Sequence, residues 1–354
     1  MKKLVIIQTA SPDYRKPFFQ LLKKKLKDRF QLYTGNEYFE TSVKTDKNID
    51  FFPVKNHFLL GRQLLFQTGM WKEIFKDNII VLEMNPRNLS NWIILILRKI
   101  FNKKTILWGH AWPRKGKNSK SDRLRNLMRV LGSKIIVYTK QQRAELKQKM
   151  PKKEILAAPN ALFTREQMQV TLSDNIKDII YVGRLTKDKK VFFLLQAFHL
   201  SIPDIPQEAN LLIVGAGEEE KKLKEYVEKN HLQNRVFFYG HISDYQKLKN
   251  LYSQSVFSVS PGYIGLSVTQ SFGFGVPILV SKNENHSPEI EAVIENENAL
   301  FFETDDALDF KHKLKNIYQN PDYWINKRQK IADFCKKEYS VESMAQVFIN
   351  LLHS

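Results

Sequence analysis

Residues 260–281 read SPGYIGLSVTQSFGFGVPILVS. The apolar run 256–259 leads into this stretch and predicts a strand. Pro261-Gly262 predicts a turn, and Gly265-Leu266 the start of a helix that ends near Gly273 to Gly275. Pro277 then precedes a second buried strand at 278–280. Glycine lets backbone approach a ligand closely, and a helix start leaves N–H groups unpaired. Such a turn suits an anion such as a phosphate. The same pattern also serves as the ordinary strand–turn–helix unit of any α/β protein.

Strand and helix patterns alternate on both sides of this stretch. Behind it lie apolar runs at 178–182 (DIIYV), 210–214 (NLLIV) and 236–239, with helical patterns at 191–200, 218–230 and 245–252. Beyond it, 299–302 predicts a strand, and 289–295, 306–316, 321–337 and 341–352 predict helices. The first half repeats the alternation. Strands are expected at 4–7, 31–33, 78–83, 104–107, 135–139 and 155–158. Helices are expected at 17–30, 63–77, 91–101, 124–131 and 141–149, with mostly loop over 37–58. The polar stretch 163–177 lacks apolar periodicity and reads as a linker. Two rounds of βα alternation imply two parallel, doubly wound sheets. The expected division is 1–165, 166–330 and a C-terminal helical segment, 331–354.

A chain of 354 residues can hold two domains, and 43% hydrophobic with 26% charged residues is a globular composition. The one cysteine, Cys335, excludes an internal disulfide framework and a cysteine-based metal site, and fits a reducing cytosol. The first apolar run is too short for a signal peptide. The longest run, 92–97, is far short of a bilayer span.

The net charge of +19 is one-sided. Residues 1–170 hold 35 Lys and Arg against 13 Asp and Glu, an excess of 22. The remainder is slightly acidic. Such a field attracts polyanions: anionic lipid, nucleic acid or phosphorylated substrate. The helix expected at 17–30 places Phe18, Leu21, Leu22 and Leu26 on one face and Lys23, Lys24, Lys25, Lys27 and Arg29 on the other. This form suits an anionic membrane surface, and equally a solvated helix on a core.

Chemistry-bearing residues gather where strands end. The strand at 104–107 runs into Trp108-Gly109-His110-Ala111-Trp112, at the edge where open α/β sheets place their ligands. Residues 114–125 (RKGKNSKSDRLR) read as a basic loop near it. Gly183-Arg184 and Lys189 follow the strand at 178–182, and two cations beside a glycine turn suit a diphosphate. Gly215-Ala216-Gly217 is a partial glycine-rich turn.

In this order the pieces resemble family 4 of the retaining glycosyltransferases, of GT-B fold. The resemblance runs through YVGRLTKDKKVFFLLQAF, LLIVGAGEEEKKLKEYV, RVFFYGHISDYQKLKNLY, the opening stretch, SPEIEAV and NALFF. LWGHAW and Ala158-Pro159-Asn160 look like parts of polysaccharide-assembling members, and YSVESMAQVFINLL like a closing helix that crosses back onto the N-domain.

The resemblance implies two Rossmann-like domains: an N-terminal acceptor domain and a C-terminal domain that binds a UDP- or GDP-type sugar. Arg184 and Lys189 would neutralise the donor diphosphate and its leaving group. Gly183, Gly215, Tyr263, Gly265, Leu266, Ser267 and Gln270 would complete the donor site. His110 would face the transferred sugar as a catalytic residue. Gln8, Trp108, Gly109, His110 and Trp112 would line the acceptor side, and Asn160 would shape the hinge.

The expected reaction is front-face transfer of a hexosyl group with retention, without metal or other cofactor. The acceptor would be a lipid-linked or other glycan in surface polysaccharide synthesis. The protein would be cytoplasmic and peripheral on the inner face of the membrane, docked through its basic N-domain.

This chain departs from the family at two glutamates that usually flank Gly-Leu. Gly262 and Gln270 stand in those positions, Lys190 replaces a usual glycine, and Ala111 a frequent one. A non-catalytic GT-B scaffold in a glycan-assembly complex is the competing reading. Nucleic acid is not an expected partner, because no reading motif accompanies the charge.

Overall fold

The computed structural model describes residues 2–113, 116–117 and 119–353. The chain divides into two compact units, Met1–Leu162 with Tyr339–Ser354, and Phe163–Glu338.

The first unit contains β1 (Leu4–Gln8), β2 (Phe30–Thr34), β3 (Phe52–Pro53), β4 (Lys55–Leu59), β5 (Leu64–Thr68), β6 (Ile79–Glu83), β7 (Thr105–Trp108), β8 (Lys134–Val137) and β9 (Glu154–Ala157). Its helices are α1 (Lys16–Leu26), α2 (Leu89–Ile100), α3 (Lys120–Leu131) and α4 (Lys140–Lys149). Seven strands form one sheet in the order β3-β2-β1-β6-β7-β8-β9, and its pairs are parallel. Every residue of β1 is buried, as expected of a strand covered on both faces. Leu4 and Ile6 join one apolar cluster with Phe18 and Phe348, while Val5 and Ile7 join the other with Ile80 and Ile94. This alternation is the two-residue period of a strand.

Three expectations change here. Residues 63–77 do not form a helix. β5 pairs antiparallel with β4, from Lys55↔Thr68 to Leu59↔Leu64, and a short 3-10 turn, Trp71–Glu73, follows. Leu60, Gly61 and Arg62 all have positive φ, which reverses the chain, and burial along β5 alternates with period two. Next, α3 begins at Lys120, so the basic segment 114–125 is not all loop; Arg114, Lys115 and Asn118 lie outside the described residues. Asp122, the acid in that run, is buried against Arg129 (2.7 Å) and Lys149 (2.5 Å). Finally, the apolar face of α1 is not a free surface. Phe18, Phe19, Leu22 and Leu26 are buried in the core, which leaves only its lysine face to solvent.

The second unit contains β10 (Asp178–Val182), β11 (Leu211–Val214), β12 (Val236–Gly240), β13 (Ser255–Ser260), β14 (Ile278–Ser281) and β15 (Ala299–Phe302). Its helices are α5 (Val191–Ser201), α6 (Glu220–Lys229), α7 (Tyr245–Gln254), α8 (Ser267–Gly273), α9 (Ala307–Gln319), α10 (Pro321–Ile325) and α11 (Arg328–Glu338). The six-stranded parallel sheet runs β12-β11-β10-β13-β14-β15.

The helix expected at 289–295 is a 3-10 turn, Pro288–Ala292, and that expected at 321–337 is split into α10 and α11. The presumed linker is packed rather than loose. Phe163 meets Tyr245 and Phe274 edge-on, and Met168 is buried. α11 stays with this unit, because Ile331, Ala332 and Cys335 are buried and α11 packs on α8. The chain rejoins the first unit at Tyr339. There α12 (Val341–Asn350) packs on α1, with Phe348 and Phe18 edge-to-face at 5.0 Å.

Candidate functional site

In the second sheet, β10 and β13 are neighbours, while the strands that follow each run off in opposite directions. Their carboxyl ends therefore open a crevice at a topological switch point, where α/β sheets bind ligands. The loop after β10 carries Gly183, Arg184 and Lys189. The loop after β13 carries Tyr263, Gly265, Leu266 and Ser267.

These loops are fastened to each other. Tyr263 N–H donates to the Asp188 carbonyl oxygen (3.0 Å), and Lys189 Nζ donates to the Tyr263 carbonyl oxygen (2.7 Å). The Lys189 ammonium also lies 4.4 Å from the Tyr263 ring centroid. Burial pushes the Lys189 pKa down to about 8, with Asp188 opposing the shift and Arg184 adding to it. Arg184 is exposed and has no side-chain hydrogen bond or ion pair among the described residues. The N–H groups of Gly265, Leu266 and Ser267 have no acceptor among the described residues, as expected at a helix start. Gln270 lies one turn further along α8, half-buried.

The structure bears on two of the departures noted in the sequence, Gly262 and Lys190. A Cβ at Gly262 would lie 2.5 Å from the Asp188 carbonyl oxygen and 2.9 Å from the Lys189 carbonyl carbon. The 188–189 backbone therefore occupies the space through which a side chain at 262 would leave. Lys190 has φ +51°, a conformation that favours glycine. Its ammonium is held by Glu284 (2.6 Å) and Asp305 (2.8 Å), which offsets that strain. His286, which the sequence reading did not single out, positions the 264 turn. Its Nδ1 accepts from the Ile264 N–H (3.3 Å) and its Nε2–H donates to the Ser281 carbonyl oxygen (2.8 Å).

Gly215 has a packing role. Its φ is +150°, and a Cβ there would fall 1.8 Å from the Gly183 carbonyl oxygen. The loops after β10 and β11 are zipped by Gly183 N–H to the Val214 carbonyl (3.0 Å) and Leu185 N–H to the Ala216 carbonyl (3.0 Å). Asp306 caps α9: its carboxylate accepts from the N–H groups of Leu308 and Asp309.

In the first unit the corresponding switch point lies between β1 and β6. His110 is exposed beyond β7, with its ring edge-on to Tyr138 at 4.7 Å, and its carbonyl oxygen accepts from Arg125 Nη1 (2.7 Å). Gly109 lies tight against Met84, at 3.2 Å for a built Cβ. Gln8 ends β1 and is buried; its Nε2 has no partner among the described residues.

Trp108 does not line an open site, and Trp112 is half-buried. Trp108 is only 2% exposed and packs on Phe18, Phe348 and Tyr138. Trp112 donates its Nε1–H to Glu145 (2.7 Å) on α4, with Lys117, Arg129 and Lys149 around its ring. The sequence reading also passed over Arg15 and Tyr138. Arg15 could have been noticed as a basic residue in the first βα loop; beyond its neighbour Tyr14, its aromatic surroundings come from two distant segments.

Residues 163–338, the second unit, match the family model described as "Glycosyl transferases group 1". An uncharacterized glycosyltransferase of Haemophilus influenzae is 25% identical over 351 residues, covering 95% of this chain and 88% of that protein. The crystal structure of Anabaena Alr3699/HepE in complex with UDP superposes with a TM-score of 0.71 at 15% identity, over 100% of both chains. The pneumococcal O-GlcNAc transferase GtfA, in complex with UDP and GlcNAc, gives 0.70 at 12% identity, again over 100% of both. Residues 163–338 are thus a glycosyl transferases group 1 domain, and the chain that carries it has the GT-B fold.

Proposed function

We propose that this protein is a family 4, retaining, metal-independent glycosyltransferase. It moves a hexosyl group from a UDP- or GDP-type sugar to a lipid-linked or other glycan acceptor in surface polysaccharide assembly. One observation carries the reading: Arg184, Lys189 and the three open N–H groups at 265–267 converge on the switch point of the second sheet. Cations and N–H donors there stabilise the charge that grows on a departing diphosphate, the part of the reaction that most needs help. Two of the solved structures with this fold carry UDP. His110, at the carboxyl end of the first sheet, is the residue assigned to the transferred sugar.

The test uses the full chain with UDP- and GDP-sugars and a membrane lipid extract as acceptor source. UDP or GDP binding, transfer undiminished by EDTA, and a product with the donor's anomeric configuration are expected. Transfer abolished by EDTA and restored by Mg²⁺ would overturn metal independence. Gly262, which has no room for a side chain, favours the second reading, a non-catalytic scaffold; binding of no nucleotide sugar at all would select it.

We place the protein on the cytoplasmic face of the membrane. The surface that supports this is not α1 but α2 and α3, which pack together. α2 exposes Ile93, Ile96 and Ile100, one face of the helix, and α3 exposes Leu124, Leu127 and Val130. Phe75 and Phe101 extend the apolar area, and Lys99, Lys104, Lys120 and Arg123 are exposed along it. An apolar stripe with a basic border suits an anionic lipid surface.

Among the described residues no helix is long and apolar enough to cross a membrane. At low salt the protein is expected to float with phosphatidylglycerol vesicles and not with phosphatidylcholine. The double variant Ile96→Asp, Leu127→Asp should lose flotation and keep nucleotide binding. Equal recovery with both vesicle types would sink the membrane assignment.

A further inference from the structure

Arg15 lies between the end of β1 and the start of α1, and its side chain is only 7% exposed. No carboxylate of the described residues comes within ion-pair distance of it. Its guanidinium carbon sits 4.5 Å from the Trp108 ring centroid, 5.4 Å from Tyr14 and 5.6 Å from Tyr138. Nη2 donates to the Tyr138 hydroxyl at 3.3 Å, and Nη1 has no hydrogen-bond partner among the described residues. The neighbouring acid, Glu83, is committed elsewhere: its two oxygens accept from the Thr9 hydroxyl (2.6 Å) and N–H (2.9 Å). Burial pushes the Glu83 pKa up, against those bonds and the charge of Arg15.

Of the three other buried arginines, Arg129 is paired with Asp122 (2.7 Å), and the remaining two give the comparison. Arg98 is completely buried and serves the fold. Its three nitrogens donate to the Thr105 hydroxyl and to four carbonyl oxygens, of Ile74, Lys76, Asn78 and Lys104. Arg328 also has unpartnered nitrogens, but it donates to the carbonyl oxygen of Ser255, the first residue of β13, at the amino end of its sheet. Arg15 alone of the three sits at a carboxyl-end switch point. Its platform, Trp108, ends β7, and its hydroxyl partner, Tyr138, directly follows β8. Arg125, with Nε also unpartnered, brings a second guanidinium to the His110 carbonyl beside Tyr138.

A buried cation without a counter-charge is costly, and aromatic faces compensate it only in part. A planar guanidinium with an unpartnered nitrogen matches a planar or tetrahedral oxyanion. We propose that Arg15, with the Tyr138 hydroxyl, binds an oxyanion carried by the acceptor, a phosphoryl or carboxylate group, at the carboxyl end of the first sheet. This deepens the glycosyltransferase reading and rests on it for the word acceptor. Trp108 is then a positioning residue, holding the guanidinium from below.

The test titrates the full chain, saturated with UDP, with glycerol 1-phosphate, glucuronate and neutral glycerol by calorimetry. At least one anion should bind about tenfold or more tighter than glycerol, and the better anion identifies the group. Arg15→Met should lose about tenfold or more of that affinity, and Arg15→Lys and Tyr138→Phe less, with UDP affinity unchanged. In phosphate-free buffer Arg15→Met should melt no lower than the wild type, because an apolar side chain replaces an uncompensated charge.

Anion affinity equal to that for glycerol, or unchanged by Arg15→Met, overturns the proposal. A lower melting temperature with unchanged anion affinity marks Arg15 as purely structural. Should Arg15→Met not fold, Arg15→Lys and Tyr138→Phe decide by the same measure. Failure of the wild type to bind UDP would sink the donor reading alone, and the anion titration without UDP would still decide on Arg15.

Discussion

Replacing Lys189 by methionine is expected to lower kcat/KM by about 10²- to 10³-fold, the usual loss when one donor to a developing oxyanion is removed. Methionine keeps the stem of the side chain and removes the bond to the Tyr263 carbonyl and the charge. The pH dependence distinguishes this role from a structural one. Burial holds the Lys189 pKa at about 8, so the ammonium is lost in the free protein as pH rises through that value. A bound diphosphate favours the charged form and raises the pKa in the complex. Nucleotide affinity therefore falls above pH 8, by up to about tenfold per unit until the pKa of the complex is reached. Calorimetry of UDP between pH 7 and 10 reads this slope. Lys189→Met should bind weakly with no slope, and Lys189→Arg should keep affinity above pH 8. A wild-type profile flat across this range would show that Lys189 does not meet the diphosphate.

Gly262→Ala is expected to destabilise the second unit by about 1–3 kcal/mol, the typical cost of an overpacked site, and to weaken UDP binding about tenfold or more. The φ of Gly262 is not positive, so backbone conformation contributes nothing to the cost. The collision is with the backbone of Asp188 and Lys189, at 2.5 and 2.9 Å, which cannot rotate away as a side-chain tip could. Relief requires moving the loop that carries Lys189. Gly262→Glu, which restores the family's usual residue, should therefore be at least as damaging as alanine. Thermal unfolding and UDP calorimetry on both variants check this. A glutamate variant of full stability and raised affinity would show that the loop yields.

Much of the site was legible because its residues follow strands directly. Gly183-Arg184 after DIIYV and Gly265-Leu266 before a helical run mark loops at strand ends through local pattern alone, and the strand order then places both loops at one switch point. The helix expected over 63–77 failed for a local reason of another kind. Leu60, Gly61 and Arg62 all turn with positive φ, and only Gly61 signals that. Trp108 and Trp112 were read as ligand-facing because they flank His110. The direction in which each indole points is set by Phe18, Phe348 and Glu145, up to 240 positions away in the chain.

Periodicity and glycine placement in the chain were enough for two parallel sheets, the loops at their strand ends and the cationic pair, because apolar alternation and turn residues are patterns of neighbours in sequence. The occupancy of space was decided only by tertiary packing. The 188–189 backbone fills the place of a side chain at 262, Glu284 and Asp305 make Lys190 tolerable, and three aromatic rings close around Arg15. Each depends on segments far apart in the sequence meeting at distances of a few ångströms, which no local pattern encodes.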